Sequence, residues 1–215
     1  PGNNLLHKLN CSFIFENNFF NKEMKKVLGN NFRILNHKLV MGVPENYLPE
    51  WIRLIIKDNT TNNLGKFIKP KYRDITYFKG LDFHQDIIDY PTRVADFITV
   101  YIYLDNVNAN TSPLYVIPNS HKLGATQFPH NIIFNNKTSN ILYLNKKKKI
   151  KSKILRLDGK AGSTSYWHPF ILHSTQPHKD DKPRISVRLL VEKNRWKDIK
   201  CDLDKLNKKI NGKIS

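Results

Sequence analysis

Apolar positions change their spacing about a third of the way along the chain. The first 70 residues read as mixed and partly helical. Residues 21–28 fit a short helix ended by Gly29, since glycine tolerates the left-handed backbone of a helix stop. Between Pro44 and Ile56, the residues Leu48, Trp51, Ile52 and Ile55 fall at i, i+3, i+4 and i+7, which predicts an amphipathic helix covering a core. From about Arg73 the pattern turns to short β-branched and aromatic runs. These are residues 97–104, 114–117 (bracketed by Pro113 and Pro118), 154–157 (closed by Asp158-Gly159), 163–167 and 185–191. Short strands separated by turn residues, with no helical pattern between them, predict an antiparallel sandwich or barrel. Near the end, Ile199, Leu203, Leu206 and Ile210 return to one helical face with lysines opposite.

The 215 residues suit one domain with a single sizeable core. The expected organisation is a mixed helical part over 1–70, a β core over 71–192 and an amphipathic helix over 193–215, so mainly β with flanking helices. No apolar run approaches the length of about 18 residues that a membrane span needs. Pro1-Gly2-Asn3-Asn4 shows neither the basic nor the apolar part of a secretory signal. Cys11 and Cys201 match no zinc or redox spacing and read as free thiols of a reducing, cytoplasmic compartment. The formal charge of +18 raises nucleic acid, acidic membranes or anionic substrates as partners. Yet 28 of the 36 basic residues are lysine, and Asn and Ile are abundant too, as codon bias in AT-rich DNA would produce. Lys146 to Lys149 read as a solvated loop or hairpin tip, because like charges cannot pack together.

Candidate chemistry opens at Phe83-His84-Gln85-Asp86. In a strand or its extension, positions i and i+2 face the same side, so His84 and Asp86 can present an imidazole and a carboxylate to one metal. A third ligand must come from another strand, and His121, His130, His168, His173 and His178 are candidates. His173 is favoured by its surroundings. Thr175 follows two residues later and Arg184 eleven residues later, at the start of a strand. A cosubstrate with a distal carboxylate needs a guanidinium at the end of its pocket and a hydroxyl to orient it. Two histidines and one carboxylate leave iron three open positions, two for a chelating 2-oxo acid and one for O2.

Three segments together resemble the phytanoyl-CoA dioxygenase-like family of Fe(II)/2-oxoglutarate oxygenases: Phe83-His84-Gln85-Asp86, residues 112–121 (Ser-Pro-Leu-Tyr-Val-Ile-Pro-Asn-Ser-His), and Gly162 through His173 to Arg184. The resemblance covers roughly residues 70–192. It implies a double-stranded β-helix (a cupin-like jelly roll) with Fe(II) and 2-oxoglutarate as cofactors. His84, Asp86 and His173 would be the iron ligands, and Arg184 the partner of the C5 carboxylate of 2-oxoglutarate with help from Thr175. The implied activity is hydroxylation of a small molecule by O2, forming succinate and CO2. Related halogenases have a small residue in the place of Asp86, so a carboxylate there implies hydroxylation or desaturation. Ser112 stands where the family more commonly has glycine. The basic charge leans toward an anionic substrate.

The remaining residues have plainer readings. His121 is expected to cap or pack, His168 to lie near the pocket, and His178 to be exposed. Tyr101 and Tyr103 share a strand face and read first as core, with a pocket role second. Arg188 shares a face with Arg184, at the substrate or at the barrel mouth. One rival function is an oxidative nucleic-acid demethylase, against which the eleven-residue spacing from His173 to Arg184 argues. Another is a non-redox jelly roll that binds a ligand or isomerises one, which would not need Arg184.

Overall fold

The structure is a computed structural model that describes residues 12–56, 81–89, 95–126, 130–135, 138, 140–176 and 178–193. The predicted C-terminal helix and both cysteines lie outside the described residues.

Two short helices open the described chain, α1 (Ser12–Phe15) and α2 (Asn18–Leu28). Asn17 caps α2 by accepting the Phe20 N–H at 3.1 Å, and Gly29 ends it at φ 89°. Phe20, Met24 and Leu28 recur four residues apart and form the buried face. Helix α3 (Glu50–Ile56) is shorter than expected. The stretch from Pro44 divides into a 3-10 turn, Glu45–Tyr47, and then α3, because Leu48 precedes Pro49 and is held extended at ψ 134°.

Strands follow in the order β1 (Phe32–Gly42), β2 (Leu81–His84), β3 (Phe97–Tyr103), β4 (Leu114–Val116), β5 (Ile132–Phe134) and β6 (Asn140–Asn145). Then come β7 (Lys148–Lys153), β8 (Leu155–Leu157), β9 (Thr164–Trp167), β10 (His173–Thr175) and β11 (Arg184–Lys193). They form a sheet ordered β1-β11-β3-β9 and a second ordered β2-β10-β4-β8, all pairs antiparallel. Two such four-stranded sheets are the double-stranded β-helix, the jelly roll expected from the sequence. The five predicted strands are β3, β4, β8, β9 and β11. Strand β1 and the three-stranded sheet β5-β6-β7 were not foreseen. Lys146 and Lys147 do form the tip between β6 and β7, while Lys148 and Lys149 open β7 itself.

Strand β11 organises the site because its two faces differ. Val187, Leu189 and Val191 pack with Ile98, Val100 and the buried face of α2. Arg184, Ser186 and Arg188 alternate with them and face the other way, Arg184 and Ser186 fully buried. A polar row on the inner face of a central strand is costly unless it is satisfied there, so it marks where the chemistry lies.

Candidate metal centre

Residue Gln85 holds the ligand segment in place. Its amide Nε2 donates to the carbonyls of Phe170 (2.7 Å) and Gly124 (3.0 Å), and its Oε1 accepts the Thr126 N–H. With Gln85 anchored outward, His84 at the end of β2 and Asp86 at the start of the 3-10 turn Asp86–Asp89 face the space between the sheets. His173 is the residue paired with His84 across the β2–β10 ladder. Their rings lie 4.2 Å apart. One ligand atom from each of His84, Asp86 and His173 lies within 4.8 Å of the others, and all three residues are buried. That is a donor set that could hold a metal ion.

Asp86 and His173 are in the protonation states a metal needs. Burial alone would raise the Asp86 carboxyl, but the Arg188 guanidinium, then His173, His84 and the Thr99 hydroxyl, hold it well below the usual carboxylate range. Burial pushes His173 down to about 4, with His84 adding to the effect, so its imidazole is neutral near pH 7. Its Nδ1 bonds the Ile171 carbonyl (3.1 Å), which leaves Nε2 toward Asp86 Oδ2 at 3.7 Å.

Sequence reasoning missed how Asp86 is gripped. Arg188 donates to Oδ1 at 2.7 Å, while Thr99 Oγ1 (2.5 Å) and Trp167 Nε1 (3.1 Å) donate to Oδ2. All three come from the other sheet. Arg188, left open between substrate and barrel mouth, is an ion-pair partner of this carboxylate.

Arg184 lies one layer of rings away. Its Nη1 donates to Tyr101 Oη (3.1 Å) and Ser186 Oγ (2.6 Å), Nη2 to the Ser112 carbonyl (2.7 Å), and Nε to the Thr111 carbonyl (3.2 Å). The Tyr101 ring stacks on Trp167 at 6.0 Å, and Trp167 lies 5.0 Å from the His173 ring. Among the described residues no carboxylate faces Arg184, so a buried guanidinium is met by neutral oxygens alone. That arrangement favours the arrival of an anion. Ser112 has φ 53°, a left-handed conformation that favours glycine, and this explains why a glycine is common there. The turn aims its carbonyl at Arg184. Thr175 Oγ1 is buried without a hydrogen-bond partner, on the same side of β10 as His173. A buried cation and an orphaned hydroxyl fit a carboxylated cosubstrate beside the triad.

The other candidate histidines do not join the triad. His121 lies in the 3-10 turn Ser120–Leu123 with its ring 5.7 Å from His168, and His168 accepts the Phe170 N–H. His130 bonds Thr126 through Nδ1 and is pushed down to about 4 by burial, with His84 adding to it. His178 is not exposed as expected. It is half-buried, and its Nδ1 and Arg184 Nη2 both lie just above Gly42. Tyr101 reaches the pocket through Arg184, whereas Tyr103 is core, donating to the Leu157 carbonyl.

Residues 9–186 match the sequence model of the phytanoyl-CoA dioxygenase (PhyH) family. No curated protein matches the sequence. Among solved structures, the chain is similar to the non-heme monooxygenase ThoJ in its apo form, with TM-score 0.55, 14% identity, and 86% of this chain and 55% of that one covered. The ThoJ–nickel complex gives TM-score 0.53 at 12% identity, covering 86% and 54%. EctD from S. alaskensis, solved with 2-oxoglutarate and 5-hydroxyectoine, gives 0.50 at 11%, covering 85% and 52%. At such identities the likeness is one of fold, and the chain spans about half the length of these structures.

Proposed function

The chain belongs to the phytanoyl-CoA dioxygenase family, and on that footing we propose that it is an Fe(II)- and 2-oxoglutarate-dependent dioxygenase that hydroxylates a small molecule. Family membership supports an oxygenase-type enzyme. The reading beyond that rests on one observation: a buried His84–Asp86–His173 triad beside a buried Arg184 that has only neutral partners.

In this reading the three triad residues hold Fe(II), which with 2-oxoglutarate supplies the O2-activating chemistry and yields succinate and CO2. Arg184 takes the C5 carboxylate, with Tyr101 fixing the guanidinium and the Thr175 hydroxyl gaining the partner it otherwise lacks. Arg188, Thr99 and Trp167 keep the Asp86 carboxylate ionised and fixed in rotation, so that His173 Nε2 and a carboxylate oxygen converge. The buried setting limits water at the centre. The positive charge of the chain supports an anionic substrate. No helix of the described residues is long and apolar enough to cross a membrane.

The test is to load the protein anaerobically with Fe(II) and 2-oxoglutarate, admit O2 and measure succinate. Slow succinate formation is expected even without substrate. It should vanish in His84→Ala, while Arg184→Gln should need roughly tenfold or more 2-oxoglutarate for the same rate, as loss of a charge-assisted pair implies. Failure of the wild type to bind Fe(II) and 2-oxoglutarate would refute the assignment.

A further inference from the structure

The sheet β5-β6-β7 stands apart from the triad and has two unlike faces. Its ladder sets Ile133 opposite Leu142 and Leu142 opposite Lys151, with Leu144 opposite Lys149 and Asn140 opposite Lys153. Paired residues in adjacent strands share a face, and alternation fixes which one. Ile141, Tyr143 and Ile150 therefore point inward, where they join Ile117, Leu123 and Leu172 in a core cluster. Ile133, Leu142 and Leu144 point outward beside the lysine row Lys149, Lys151 and Lys153. Ile133 is 52% exposed, and all three lysines are exposed. An open groove of about 850 Å³ adjoins this surface, lined by Ile133, Leu142, Lys151 and Lys153 of the outward face together with Phe134 and Ile141 of the other.

The charge is one-sided. From Asn106 to Leu157 the sequence holds nine Lys or Arg and no Asp or Glu. Arg156 forks onto Asp158, so lysines make up the remaining charge here. An aliphatic row flanked by flexible cations, with no acid in the segment, does not suit a second copy of the same face, which would meet its own charge. Nucleic-acid surfaces use arginine forks and series of aromatic platforms for phosphates and bases, whereas this groove has no arginine and a single exposed ring, Phe134, which leans on Phe83. Aliphatic side chains that enter the headgroup layer, with lysines reaching the lipid phosphates, match an anionic bilayer.

We propose that the outward face of β5-β6-β7 is a peripheral docking surface for anionic lipid bilayers. Co-sedimentation of the full chain with vesicles tests it, comparing phosphatidylcholine alone with phosphatidylcholine–phosphatidylserine mixtures at low and high salt. Binding to the anionic vesicles alone, weakened by salt, is expected. Reversing Lys149, Lys151 and Lys153 to Glu should reduce partitioning by roughly a hundredfold or more, at about fivefold per lysine neutralised. Ile133→Ser with Leu142→Ser should weaken it separately. Succinate formation should be unchanged in these variants, because none of the five positions lies in the iron centre, and that readout also shows that they fold. Equal binding to neutral vesicles, or binding indifferent to the lysine reversal, would overturn the proposal. So would tighter binding to a DNA duplex that the Ile133 and Leu142 changes leave intact, since the surface would then be a nucleic-acid face.

Discussion

Asp86 has lost its water, yet it is more acidic than a free carboxyl, because Arg188, two imidazoles and a hydroxyl stand where water would be. Two histidines are displaced the other way. His173 and His130 are each pushed down to about 4 from 6.5, first by burial and then by His84. This has a consequence for the metal-free protein. As pH falls below about 6.5 the unfolded chain takes up these protons first, while the folded protein takes them only near 4. The histidine contribution to folding stability should therefore be lost steadily across that window, and below about 4 the decline should continue through Asp86, whose carboxyl is held lower in the folded protein than in the unfolded chain. A melting curve series from pH 7 to pH 4 is expected to show Tm falling over this range. His130→Gln keeps a partner for Thr126 but cannot titrate, so its decline should be shallower than that of the wild type. An identical decline would mean that His130 is not held neutral by its surroundings.

At the scale of elements, β1 connects packing to the proposed cosubstrate pocket. It pairs with β11 along its length, and its last residue, Gly42, is the register partner of Arg184. A Cβ on Gly42 would lie 3.2 Å from His178 Nδ1 and from Ser112 Cβ, and 3.3 Å from Arg184 Nη2. A side chain there would force these neighbours to give by a few tenths of an ångström. Gly42→Val should displace the guanidinium and raise KM for 2-oxoglutarate roughly tenfold, the effect of weakening one charge-assisted contact, with Fe(II) affinity unchanged. An unaltered KM would show that Arg184 can yield freely, or that the carboxylate binds elsewhere. Strand β1 also shows where the sequence stops being readable. Its register shifts between Ile34 and Asn36, which breaks the period-two alternation, and Asn36, His37 and Lys38 interrupt its apolar run. Strand β3 keeps a continuous apolar and β-branched run, and β11 alternates Ile185, Val187 and Leu189 with polar residues before Leu190-Val191, so both were legible. The same divide holds in the site. His84-x-Asp86 and the His173-to-Arg184 interval are spacings within single segments, so sequence could bring them forward. The grip of Thr99 and Trp167 on Asp86 depends on those two residues being cross-strand partners, and a lone sequence carries no pairing.

Over the whole molecule, the candidate centre lies between the two four-stranded sheets. His84 and His173 belong to one, and Arg184, Arg188, Thr99 and Trp167 belong to the other, with Asp86 held by both groups. In the proposed reading a metal on the triad would tie the first sheet to the Asp86 segment, and a cosubstrate carboxylate on Arg184 would reach the second. Each ligand should therefore stabilise the fold by linkage, and the two effects should depend on different residues. At a ligand concentration of about one hundred times Kd the gain is about 2.7 kcal/mol, roughly 5–10 °C in Tm for a chain of this size. With a redox-inert divalent ion in place of Fe(II), thermal melts should show one shift with metal and a further shift with 2-oxoglutarate. Arg184→Gln should keep the first and lose most of the second, while His84→Ala should lose the first and, since the 2-oxo acid would chelate the metal in the proposed reading, most of the second. If 2-oxoglutarate stabilises His84→Ala as much as the wild type, the carboxylate pocket works without the metal and the two halves of the centre are independent.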